Sequence, residues 1–170
     1  YISPFEHNAV TRVLNHLQGI YSINILQLAV DKKTLKYDFE KIKNQFAEKK
    51  PNWLILSHAS NVCGVVAPIQ ELTGMAKAYG AITLVDLCQT AGLIDTDLSG
   101  TNIDFAVFAG HKTLYSPLGV AGVISNFDIK PAPLLYGGTG VESANQSLPE
   151  TLPERYEVGS PNIAAIAGLN

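Results

Sequence analysis

An α/β fold, a mostly parallel sheet flanked by helices, is predicted by two features of this sequence. The segments WLILS (53–57), ITLV (82–85) and FAVFA (105–109) are apolar runs of strand length, as in strands buried in a sheet covered on both faces. Around them, apolar residues recur at three- and four-residue spacing, as on one face of a helix. Strands alternating with helices form parallel sheets.

Composition sets the bounds. The chain has 170 residues, 46% hydrophobic and 16% charged, enough for one domain with a sizeable core. The net charge is −3 and no basic run or stripe marks a nucleic-acid partner. The longest apolar stretches are strand-length, so no membrane-spanning helix is expected, and no signal-peptide pattern is read. Two cysteines, Cys63 and Cys88, make neither a disulfide framework nor a metal-binding CxxC, which fits a reducing, cytoplasmic setting. The chain opens without Met on what reads as the tail of a strand, Tyr1-Ile2, and closes in AAIAGLN, an opening helix. A piece of a longer chain is expected.

The elements follow in order. Residues 6–17 carry Val10, Val13, Leu14 and Leu17 at helical spacing. Residues 22–30 read as a strand. Residues 38–49 carry Phe39, Ile42 and Phe46 at helical spacing, with lysines in the last turn to suit the helix dipole and Pro51 as the stop. The strand 53–57 follows, then a Gly-containing loop, 61–64. Pro68 opens a helix through Tyr79, with Leu72, Met75, Ala76 and Tyr79 facing inward and Gly80 ending it. Residues 81–87, 105–109 and 120–125 are three further strands. The stretch between the last two is too short for a helical crossover, so the final strand is expected to run antiparallel. From Pro131 onward the chain turns to Pro, Gly and polar residues and reads as an extended region leading out of the core.

The strands end on polar residues. Ligands of open α/β sheets gather beyond the carboxyl ends of the strands. That rule places His58, Asn61, Asp86, Gln89, His111 and Lys112 on one rim. Taken singly, an Asp after a strand is a turn former, a Lys there is solvated, His58 is a hydrogen-bonded structural residue, and Cys88 is a small buried one. Taken together, a carboxylate, an amide and an amine at consecutive strand ends are what a pyridoxal-phosphate site needs: an acid to hold the proton on the pyridine nitrogen and a lysine to form the Schiff base.

Several blocks extend this pattern. EHNAV (6–10), SHASNVCGVVAPI (57–69), VDLCQTAG (85–92), FAGHKTLYSPLGVAGV (108–123), PLLYGGTG (133–140) and RYEVGSPNIAAIAGL (155–169) occur in that order. From end to end the chain resembles the class V aminotransferase and cysteine desulfurase group of fold-type I pyridoxal-phosphate enzymes. The GGTG block and the Glu157-x-Gly159-Ser160-x-Asn162 pattern resemble its desulfurase-like branch. The resemblance implies the aspartate aminotransferase-like large domain. Residues 1–135 would be the core of that cofactor-binding domain, and 136–170 would lead toward a small C-terminal domain. The phosphate-cradling turn of the family would precede Tyr1.

The resemblance also implies roles. Lys112 would hold the cofactor covalently and shuttle protons at the substrate carbon. Asp86 would pair with the pyridinium nitrogen and His7 would stack on the ring. Gln89 would hydrogen-bond the phenolic oxygen, with Asn61 near that edge and the substrate. His111 would help hold the phosphate, and Thr139 would reach the phosphate of a partner subunit in a homodimer. One departure is Ala109, where many relatives carry Ser two residues before the His. Arg155 reads as structural. Neither cysteine stands where the family's sulfur-carrying cysteine does.

The implied activity is removal of sulfur from L-cysteine, leaving L-alanine and passing sulfur to a protein thiol, with a sulfur-acceptor protein as a further partner. Transamination or β-elimination of an amino acid is the enzymatic alternative. A receiver-like signalling module also places Asp and Lys at strand ends, but it needs an acidic cluster at its first strand and leaves His7, Gln89 and His111 unexplained. A nicotinamide-binding domain lacks its GxGxxG.

Overall fold

The computed structural model describes residues 1–126 and 131–170. Among them the elements run α1 (Asn8–Ile20), α2 (Phe39–Glu48), β1 (Trp53–Ser57), α3 (Ile69–Lys77), β2 (Ile82–Asp86), β3 (Phe105–Ala109), β4 (Ala121–Ser125) and α4 (Ile163–Leu169). The sheet order is β1-β2-β3-β4. β1, β2 and β3 are parallel, and β4 returns antiparallel to β3, as its short connection requires. Four of the five predicted strands form, each within a residue of its expected ends.

The predicted strand 22–30 does not form as an element. Only isolated bridges remain, Gln27 to Ile2 and Val30 to Tyr37. The backbone opposite it is the short segment Tyr1 to Ser3, which bonds on one side to Leu26 and Leu28 and on the other to Ile55. The first helix is also displaced: it begins at Asn8, not at residue 6, because His7 is extended and caps it, with its Nδ1 accepting from the Ala9 N–H at 3.1 Å. α2 starts after Asp38, whose carboxylate accepts from the Lys41 N–H. It ends at Glu48, so the lysines expected in its last turn stand at the cap and beyond.

The core lies between the sheet and α2 and α3. Ile42 and Phe46 of α2, Leu54 and Leu56 of β1, Leu72 and Ala76 of α3 and Val85 of β2 have no exposed surface. The i, i+4 pairs 42/46 and 72/76 are the helical faces visible in the sequence. Phe46 also takes Tyr1 edge-on at 4.9 Å and Tyr79 at 6.0 Å. By contrast, α1 buries no residue, and Val13 on its apolar stripe is 56% exposed. Leu14 and Leu17 instead line a groove of about 560 Å³ with Ile2, Trp53 and Ile55, toward the start of β1.

A buried polar knot joins α3, β2 and β3. Asp104, 7% exposed, accepts from Lys77 Nζ at 2.7 Å, from the Thr83 N–H at 2.7 Å and from Thr83 Oγ1 at 3.1 Å. Burial pushes its carboxyl up, but Lys77 and the two Thr83 donors outweigh this and hold it below the ordinary carboxylate range.

The region after Pro131 is mostly exposed, as expected, yet its end is tied to the core. Ala165 of α4 is fully buried, Ser116 Oγ donates to the Ala165 carbonyl, and Asn162 Nδ2 donates to the Leu118 carbonyl.

Candidate functional site

The parallel register decides which strand ends meet. Ser57, the last residue of β1, pairs with Asp86, the last of β2, and Asp86 pairs with Val107 of β3. The β3 strand runs on through Ala109 into Gly110, His111 and Lys112, so the acid and the amine emerge from neighbouring strands on one rim. Gly110 is required there by close packing. A Cβ at that position would lie 2.6 Å from Val120 Cγ1 and 3.2 Å from Ser116 Cβ. Its N–H bonds the Val120 carbonyl and its carbonyl accepts from the Ser116 N–H, which turns the chain and presents Lys112.

Asp86 is held in place by its own loop. Its Oδ1 accepts from the Cys88 N–H at 2.8 Å. Burial first, and the nearby Asp86 carboxylate after it, push the Cys88 thiol up to about 11, while the Lys112 charge pulls the other way. Cys88 is half-buried and its N–H holds the Asp86 carboxylate, so it is more than the small buried residue expected. The sequence carried no signal for this, because the contact depends on the turn that follows β2.

Glu6 is a second residue that the sequence did not single out by itself. Its two oxygens accept from the Ser57 N–H at 2.6 Å and from Ser57 Oγ at 2.8 Å. Burial first, and the nearby Asp86 charge after it, raise its pKa to about 7 against the pull of its hydrogen bonds. The raised value sets a sign. The neutral acid is favoured in the folded state, so Glu6's stabilising contribution is complete below about pH 4.5 and lost as pH rises through about 7. Glu6→Gln, which keeps the shape without the charge, is expected to be more stable than the parent at pH 8 by up to about 3 kcal/mol and close to it at pH 4.5. Urea unfolding at the two pH values checks this, and an equal difference at both would contradict it.

The other predicted residues are placed as follows. His111 and Asn61 are exposed on the rim and Gln89 and Lys112 are half-buried. His58 is 5% exposed, its backbone N–H donating to the Asp86 carbonyl, but its Nδ1 has no partner, so it is not the fully bonded structural histidine expected. Burial holds its pKa below the usual histidine value. Thr139 donates to the Val141 carbonyl at 3.4 Å within its own loop and is not brought to the rim by any bond it makes. Arg155 pairs with Glu150 at 2.6 Å and donates to the Pro149 carbonyl, consistent with its structural reading.

Comparison with known proteins settles the family. The sequence model of the aminotransferase class-V family matches residues 1–170. This chain belongs to the class-V aminotransferase family. It is 36% identical to the "Probable cysteine desulfurase" of Pyrococcus abyssi (strain GE5 / Orsay), over 98% of this chain and 42% of that protein. It is 38% identical to the "Probable cysteine desulfurase 2" of Mycobacterium leprae (strain TN), over 66% of this chain and 28% of that one. A solved cysteine desulfurase from Thermococcus onnurineus NA1 superposes with a TM-score of 0.79 at 27% identity, covering 99% of this chain and 42% of that one. The chain thus spans less than half the length of the relatives it matches.

The family is pyridoxal-phosphate dependent, and the residues present fit that group. Asp86 offers an acceptor, and Lys112 an amine, on one rim. His58 Nδ1 and Thr113 Oγ1, each within one residue of the rim positions Ser57 and Lys112, are buried polar atoms without a protein partner. Buried polar groups are as a rule bonded, so a polar ligand here satisfies a need the protein leaves open. Among the described residues no group of His, Cys, Asp and Glu is arranged to hold a metal ion, and no helix is long and apolar enough to cross a membrane.

Proposed function

We propose that this chain forms the cofactor-binding core of a pyridoxal-phosphate enzyme of the cysteine desulfurase type. In the overall reaction the carbon–sulfur bond of L-cysteine breaks, a proton takes its place to leave L-alanine, and the sulfur joins a protein thiol as a persulfide. The observation that carries the reading is the meeting of Asp86 and Lys112 at adjacent parallel strand ends, in a chain similar over nearly its whole length to a named desulfurase.

Pyridoxal phosphate, when bound, supplies an electron sink for negative charge at the amino acid's α-carbon. The protein's part is positioning and proton transfer. Asp86 accepts the pyridinium N–H. Lys112 Nζ attaches the cofactor and moves the proton at the substrate α-carbon. His7 covers one ring face, Gln89 donates to the phenolic oxygen, and Asn61 lies toward that edge. His111 contributes to the phosphate, and Thr139 serves the phosphate of a second subunit in a homodimer. A soluble sulfur acceptor and a reducing cytoplasmic setting complete the reading. The thiol that takes the sulfur is neither Cys63 nor Cys88.

Borohydride reduction of the complete protein mixed with pyridoxal phosphate, followed by peptide mapping, tests the site. Label is expected on Lys112. No label, or label scattered over surface lysines such as Lys32 and Lys49, would mean that the rim is structural. Incubation with L-cysteine and a thiol reductant is then expected to release alanine and sulfide. A keto acid in their place would identify transamination.

A further inference from the structure

Building on the function proposed above, we infer that Glu6 is a positioning residue of the cofactor site: by clamping Ser57 with both carboxylate oxygens, it fixes the segment that delivers His7 to the end of β1, beside Asp86. The argument starts from α1. That helix has no fully buried residue among those described, and Leu14 and Leu17, which reach the groove beside Ile2 and Trp53, lie in its second and third turns, not its first. Its beginning is set by the residues before it. Ser3 is held by the Ile55 carbonyl through its N–H and by Tyr37 Oη through its Oγ at 2.7 Å. Phe5 packs edge-on against Tyr37 at 6.0 Å.

Glu6 is the last anchor before His7. Two bonds from one carboxylate to one residue leave it little rotational freedom, and Ser57 is itself fixed as the end of β1, in register with Asp86. His7 then has two constraints. Glu6 sets its position along the rim, and its Nδ1 bond to the Ala9 N–H sets the ring relative to the helix. A ring meant to lie against a planar cofactor needs both, because stacking depends on orientation as much as on distance. A carboxylate is a costly choice for a purely structural clamp here, since it is half-buried and lies near a second carboxylate.

Equilibrium titration of the complete protein with pyridoxal phosphate, with melting temperatures measured in parallel, tests the role. Glu6→Ala is expected to weaken binding about tenfold and Ser57→Ala, which keeps the N–H donor, about threefold. Glu6→Gln is expected to stay within about twofold of the parent, because its amide oxygen accepts from the Ser57 N–H and its amide nitrogen donates to Oγ. Should Glu6→Ala not fold, Ser57→Ala against Glu6→Gln decides. Variants that melt lower yet bind with the parent's affinity would make Glu6 a fold residue only and overturn the inference while leaving the function standing. A parent that takes up no pyridoxal phosphate overturns both.

Discussion

Lys112→Ala in the complete protein is expected to remove the borohydride-stable cofactor label and to lower turnover by at least about a thousandfold. The effect is large because one amine does two jobs, covalent attachment and proton transfer, and positioned proton transfer alone contributes about 10²- to 10⁴-fold. The fold has no reason to fail, since among the described residues the Lys112 side chain makes no hydrogen bond or ion pair and its backbone N–H bonds the Ala109 carbonyl whatever the side chain. Pyridoxal phosphate is still expected to bind noncovalently, because Asp86, Gln89 and His111 are untouched. Label and turnover close to the parent's would remove Lys112 from the site. Because the substitution separates covalent attachment from binding, the absorption of the bound cofactor and its affinity are to be read in the same experiment.

Asp104→Ala is expected to destabilise the protein by about 2–3 kcal/mol, chiefly the cost of leaving a buried N–H unsatisfied, with the loss of a part-buried ion pair added. The substitution strands the Thr83 N–H inside the sheet and removes the Asp104–Lys77 ion pair. Against a typical domain stability of about 5–15 kcal/mol, much of the margin is lost. Asp104→Asn keeps an acceptor for Thr83 and is expected to cost less. The pH dependence has the opposite sign to that of Glu6. The folded pKa of Asp104 is depressed, so its contribution is present above the ordinary aspartate value and is lost as pH falls through the folded one. Denaturant unfolding of the parent and both variants near neutral pH checks the ranking, and a cost below about 1 kcal/mol for Asp104→Ala would show the knot to be solvated in solution.

The strands and the two core helices were legible because their signals are local. Ile42 and Phe46, or Leu72 and Ala76, recur at helical spacing whatever surrounds them, and an apolar run such as 53–57 has no stable home but a covered sheet. Strand 22–30 was misread for the complementary reason: pairing belongs to two segments, and here the run makes only the isolated bridges Gln27 to Ile2 and Val30 to Tyr37. The stripe of α1 predicted a helix correctly but not a buried face, because amphipathic spacing says nothing about what lies opposite.

The site divides in the same way. Asp86, Gln89, His111 and Lys112 stood out because their residue types follow strand-length runs, and ligands collect at such ends. That much the sequence determined by itself, together with the α/β class and the block order that resembles the class-V family. What only the tertiary structure decided is which of these groups face one another and what holds them. Glu6 and Ser57 are 51 positions apart in the chain, and their two hydrogen bonds exist only because the segment after Tyr1 lies along β1. The contact of Cys88 with Asp86, the unpartnered nitrogen of His58 and the Lys77–Asp104–Thr83 knot have the same origin. Residue type and periodicity are properties of a segment, whereas hydrogen bonds and the field of a neighbouring charge fall off within a few ångströms and follow register alone.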